Sequence, residues 1–78
     1  MRTIDFELRG EFITLDRLLK ATGLADSGGV AKAMVAAGRV QVDGRDELRK
    51  TCKLRAGQVV AVQGARVRLH QPAGAAAP

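Results

Sequence analysis

The residues in this chain best suited to chemistry are those that hold anions. Ser27-Gly28-Gly29 stands where a helix should begin, and Lys32 lies one turn further on. The first N–H groups of a helix have no partner within it and carry partial positive charge, so they accept a phosphate at close range. Two glycines remove the side chains that would block that approach, and Lys32 adds an ammonium group on the same helical face. The glycines could instead serve close packing of two helices, but the basic residues downstream favour the anion site. Arg39 and Gln41 alternate with Val40 and Val42, so core packing does not account for them. Arg45, Arg49, Lys50, Lys53 and Arg55 then place five positive charges within eleven residues, diluted only by Asp46 and Glu47. A charge run is commonly a solvated loop, yet its position directly after a chain reversal points to phosphate contacts.

Covalent and acid–base catalysis have little to build on. The chain contains one His and one Cys, with no cluster of acids beside either from which nucleophile, base and stabiliser could be assembled. His70 ends a segment in which Arg66 and Arg68 alternate with Val67 and Leu69, and reads as a solvent-facing strand residue. Lys50 and Lys53 flank Cys52 and could lower its pKa, but a partly buried structural thiol is the expectation. A lone cysteine leaves no internal disulfide and no zinc cluster, and fits a reducing, cytoplasmic setting. No catalytic residue, metal ligand or cofactor is expected.

These groups need a frame. Residues Thr3 to Arg9 alternate, with Ile4, Phe6 and Leu8 on one side and a mostly acidic row on the other, the pattern of a half-buried strand. Gly10 breaks it. Thr14 stands as an N-cap before Leu15, Leu18 and Leu19, and Gly23 closes this short helix. Asp26 and Ser27 offer a second cap, followed by Val30, Ala31, Met34, Val35 and Ala37 at helical spacing, with Gly38 placed to end the helix in a left-handed conformation. Val40 and Val42 point inward from a strand that Asp43-Gly44 reverses into a hairpin. Gly57 marks a further turn, and Val59 to Val62 and Ala65 to His70 read as two strands around Gln63-Gly64. The tail from Gln71 to Pro78 has nothing to pack and is expected to be disordered.

Length and charge bound the reading. A chain of 78 residues has room for one core. Its apolar residues are chiefly Ala, Val and Leu, and its only aromatics, Phe6 and Phe12, are expected to serve the core. Without free aromatic platforms, stacking of single-stranded bases is not expected, which leaves recognition of backbone and shape. The formal charge of +5 is uneven, with a net of −2 over residues 1–16 and +7 over 17–78. Such asymmetry favours a polyanionic partner. No apolar run approaches the roughly 18 residues of a membrane span, and the N-terminus lacks the order of a signal peptide, so a soluble, unprocessed chain is expected.

The order Ser27-Gly28-Gly29, Ala31-Lys32, Gly38, Val40, Val42, Asp43-Gly44, then a basic stretch leading to Lys53-Leu54 and Gly57, resembles the RNA-binding domain first known from small-subunit ribosomal protein S-four. More narrowly, the leading strand, the Arg49-Lys50-x-Cys52-Lys53 run and Gly57-Gln58 look like the small stand-alone YbcJ-type proteins of bacteria. The resemblance spans about residues 12 to 62. It implies an L-shaped motif of two helices and a hairpin, called alpha-L, whose basic face contacts RNA. It also implies RNA-facing roles for Ser27, Gly28, Gly29, Lys32, Arg39, Gln41 and the segment Arg45 to Lys53, with no attached catalytic domain. Many ribosomal-type members carry Arg early in the second helix, where this chain has Gly28 and Gly29, which moves weight to Lys32 and the later basic segment.

The expectation is thus an α+β domain over residues 1–70, with two short helices packed on a small mixed or antiparallel sheet. It would bind structured RNA, with ribosomal and transfer RNA as candidates, non-catalytically and as a monomer, the free edge of a small sheet allowing weak self-association. Two other classes are open. One is a protein-interaction module docking through the acidic face of Thr3 to Arg9. The other is a ubiquitin-like carrier, which would need a C-terminal Gly-Gly where this sequence reads Ala-Ala-Ala-Pro.

Overall fold

The computed structural model describes residues 2–62 and 64–71. They form strand β1 (Arg2–Glu7), strand β2 (Ile13–Thr14), helix α1 (Leu15–Ala21) and helix α2 (Gly28–Ala36). Five further strands follow: β3 (Val40–Val42), β4 (Arg45–Asp46), β5 (Lys53–Leu54), β6 (Val59–Val62) and β7 (Ala65–His70). The main sheet runs β1-β7-β6-β3-β4, and β2 and β5 form a separate two-stranded ribbon. β1 lies parallel to β7 while the other pairs are antiparallel, so the sheet is mixed and the expected α+β arrangement is present.

The alternation read in the sequence sets the layers. Val67 and Leu69 of β7, Val60 and Val62 of β6 and Val40 of β3 point to one face of the sheet and are buried there. Leu15, Leu18 and Leu19 of α1 and Ala31 and Val35 of α2 close over them in a single cluster. Leu54 joins it from β5. Small apolar residues on both sides make this a thin core in which methylene-sized changes are felt. The stripe of α2 is narrower than its sequence implies: Val30 is 43% exposed and Ala37 is also outside, because α2 meets the core through one edge only.

Local chemistry fixes where α2 ends. Gly38 has φ +73°, its N–H donates to Val35 O, and Arg39 N–H donates to Met34 O. This Schellman arrangement satisfies the last carbonyls and turns the chain into β3. Asp43 and Gly44, with φ 51° and 83°, form the two-residue turn between β3 and β4. The positive φ at Asp43 is held by its carboxylate, which accepts from Val59 N at 3.0 Å and Gln58 Nε2 at 3.2 Å. The turn is therefore pinned to β6.

The expected strand at Ala65 to His70 is present, as is that at Val59 to Val62, while Gln63 of the turn between them lies outside the described residues. The expected disordered tail likewise lies outside them beyond Gln71. Two things differ from expectation. The segment from Arg45 to Arg55 contains strands β4 and β5, and β5 recruits Ile13–Thr14 as β2, a pairing too short to leave a periodic signal. The acidic row of β1 also has neighbours: Asp5 lies in register with Arg68, and Glu7 with His70. The face suggested for protein docking is therefore one half of a mixed-charge surface.

Candidate functional site

Helix α2 begins as its sequence implies. Ser27 takes an extended conformation and its Oγ accepts from Val30 N at 3.2 Å, while its carbonyl accepts from Ala31 N. The N–H groups of Gly28 and Gly29 have no hydrogen-bond partner among the described residues. Nothing lies within 4 Å of a Cβ built on Gly28, and only Ser27 Oγ, at 3.8 Å, near one built on Gly29. The glycines therefore do not serve close helix packing. They leave an accessible helix start with no acid in its first turn and with Lys32 exposed one turn along. Such a start can accept an anion.

Arg39 leaves the other end of α2, about 13 Å away along a nine-residue helix. Arg39 and Gln41 are exposed on the face opposite buried Val40. Gln41 is partly engaged, its Nε2 donating to Asp46 Oδ1 at 3.1 Å across the hairpin. Arg45 is exposed in β4, opposite Val42.

The basic segment is held by its one well-placed acid. Glu47 N–H donates to Val40 O, extending the hairpin by one rung. Its Oε2 then accepts from Arg49 N at 3.0 Å and from Arg49 Nε at 3.2 Å. These bonds, the backbone N–H first, hold the Glu47 carboxyl below its ordinary pKa and raise that of Arg49. Leu48 reaches the end of α2, its Cδ2 being 3.9 Å from the Cβ position of Gly38. The chain then crosses the start of α1, where Lys50 O accepts from Asp16 N at 2.9 Å and Cys52 O from Leu15 N at 3.0 Å.

Thr14 occupies the expected N-cap position of α1, but its side chain caps no backbone N–H. The carbonyls of Lys50 and Cys52 perform that task. The Thr14 hydroxyl beside the Asp16 carboxylate lowers the pKa of Asp16.

Lys53 follows in β5 with its Nζ 5.0 Å from the centre of the Phe12 ring. Arg55 then returns toward the hairpin turn: its N–H donates to Gln58 Oε1 at 2.7 Å, and the Gln58 amide donates to Asp43. The residues proposed from sequence thus fall into three places. Ser27, Gly28, Gly29 and Lys32 mark the start of α2; Arg39, Gln41, Arg45 and Arg55 surround the hairpin; Arg49, Lys50 and Lys53 run from its end to α1.

Cys52 is half-buried against the core. Burial, and then the neighbouring Glu47 carboxylate, push its thiol pKa up, so the flanking lysines do not activate it. Among the described residues no group of His, Cys, Asp and Glu side chains could hold a metal ion, and no helix is long and apolar enough to cross a membrane.

Sequence reasoning missed Glu47 and Asp43 as the groups that shape the basic segment, because a carboxylate's backbone partners leave no mark in local composition. It also misplaced Phe12, which is 40% exposed and outside the core. Its position after the Gly10 break, out of phase with β1, was the available signal.

The family described as S4 domain matches residues 6–70, a longer span than the resemblance first read from the motif residues. YbcJ of Escherichia coli (strain K12) is 46% identical over 57 residues, covering 73% of this chain and 81% of YbcJ. YbcJ of Shigella flexneri matches with the same identity and coverage. The solution structure of YbcJ from E. coli superposes with a TM-score of 0.62 at 40% identity, covering 90% of this chain and 87% of that one. That structure is described as revealing an alpha-L motif involved in RNA-binding.

Proposed function

The chain belongs to the S4 domain family, and from that premise we propose that it is a non-catalytic module that binds the phosphate backbone of structured RNA. The observation that carries the reading is the open start of α2, with two N–H groups unpartnered among the described residues, no first-turn acid and Lys32 alongside. Phosphate oxygens take N–H donors and ammonium groups at such a terminus without a built pocket. Arg39, Arg45 and Lys50 are exposed and extend the positive field beyond it.

The contacts differ in kind. Gly28 and Gly29 offer fixed donors that read phosphate position. Lys32 and Lys50 act as mobile point charges, and Arg39 and Arg45 offer planar forks for bidentate contact. Arg49 meets RNA only by sharing or leaving Glu47, so its part is smaller. None of these groups reads a base edge, so shape and backbone geometry set the preference. The relation to YbcJ supports the same reading, since its structure is described in terms of RNA-binding.

Filter binding to a folded RNA tests this. Affinity is expected to fall steeply between about 50 and about 300 mM salt, with a log–log slope of roughly −0.7 to −0.9 for each phosphate neutralised. Replacing Lys32, Arg49 and Lys50 together by Ala should weaken binding by about two orders of magnitude at low salt and flatten that slope. Salt-independent binding, or an unaffected triple variant, would refute the proposal.

A further inference from the structure

We propose that the cleft between the end of β1 and the start of α1 holds an unpaired nucleobase of the bound RNA, stacked on Phe12 with its phosphate met by the surrounding cations. The inference rests on the RNA-binding reading above and adds a second, chemically different contact to it.

The cleft has a volume of about 810 Å³ and is lined by residues from Phe6 to Arg9, Phe12 to Thr14, and Arg17. Nucleotide-sized ligands occupy sites of this order, roughly 300–1,000 Å³. Both aromatic residues of the chain line it, together with Leu8 and Ile13. Phe6 packs against the core from one side, whereas Phe12 is among the few large apolar residues left exposed. The core closes without Phe12, whose ring lines the cleft, meets Lys53 and is otherwise left partly in water.

The charges select the occupant. Arg9 and Arg17 line the cleft with Glu7 as the one acid among its lining residues. Lys53 adds its ammonium group at the Phe12 ring. Cationic side chains beside an aromatic and apolar lining suit a base with its phosphate: unpaired bases stack on aromatic rings and beside guanidinium planes, and stacking is tolerant of sequence. Lys53 also belongs to the basic segment that crosses α1, so the cleft continues the proposed phosphate path. A strand carrying a bulged nucleotide could lay its backbone along that segment and turn one base into the cleft.

The test compares two RNA hairpins that differ by one bulged nucleotide. The intact chain should bind the bulged RNA roughly tenfold tighter, within the range seen when base–aromatic stacking is removed. The Phe12 ring proton resonances should shift upfield with the bulged RNA only. Phe12→Ala should abolish the preference, bringing the bulged and the fully paired hairpins to equal affinity. Phe12→Leu, which keeps the apolar bulk without a π face, should do the same and covers the case in which the alanine variant unfolds; Phe12→Trp should restore the preference. Equal affinity for both hairpins, or a preference that survives Phe12→Leu, overturns the cleft assignment and leaves the phosphate reading standing. Failure to bind either hairpin overturns both. Phe12 resonances that move with an acidic peptide and not with the bulged RNA overturn the base and assign the cleft to a protein partner.

Discussion

At the start of α1 the N–H groups of Leu15 and Asp16 are taken by the carbonyls of Cys52 and Lys50, whereas at the start of α2 those of the exposed Gly28 and Gly29 have no partner among the described residues. The first terminus also carries an acid, Asp16, in its opening turn, and the second carries none. Both helices present the same partial charge. The fold uses one of them internally, to anchor the basic segment, and leaves the other without an internal acceptor among the described residues, as the proposed phosphate site requires. A helix terminus becomes a binding site only where the chain does not already satisfy it.

Making the open terminus resemble the closed one should have the largest effect. Gly28→Asp places a carboxylate at the start of α2, where nothing obstructs its Cβ. Affinity for folded RNA is expected to drop roughly tenfold, while the thermal midpoint holds or rises because an acid at a helix N-terminus is stabilising by about 0.3–1 kcal/mol. Unchanged affinity in a binding titration would show that this terminus is not a phosphate site.

Removing the one cap on the open terminus tests its structural side. Ser27→Ala deletes the oxygen that accepts from Val30 N and should cost about 1 kcal/mol in urea unfolding, with faster hydrogen exchange at Val30. A neutral result would mean that solvent serves that N–H equally well.

The smallest effect concerns the closed terminus and pH. The folded-state pKa of Glu47 is lowered, so its contribution is present above the ordinary glutamate value of about 4.3 and is lost as pH falls through the lower folded value. Exchange at Leu15 and Asp16 should accelerate in that acidic window as the segment loosens. Asp16, lowered by the Thr14 hydroxyl, titrates there too, so Glu47→Gln should diminish this acid response without abolishing it. An identical response in the variant would remove Glu47 from the anchoring role.

What could be read from sequence follows the range of the interactions involved. Ser27, Gly38 and Asp43-Gly44 act on neighbours a few residues away, and the helix start, helix end and hairpin turn were legible from them. So was the inward face of β7, because alternation is local. The pairing of Thr14 with Lys53 and the capping of Leu15 by Cys52 join distant segments through backbone atoms, and side-chain identity carries almost no information about them. Phe12 was misread for a related reason: an aromatic residue near a strand is usually core, and only the course of the chain after Gly10 brings it to the rim of a cleft.

The parallel pairing of β1 with β7 sets Arg2 beside Ala65, so the sheet joins nearly the first described residue to nearly the last. Contacts of such high sequence separation slow folding, because the intervening loop must close before they form. Because synthesis proceeds from the N-terminus, α1, α2 and the hairpin are all made before β7. The proposed anion-binding surface is therefore translated before the strand that fastens β1 to the rest of the fold, and β1 waits unpaired until β7 has been made.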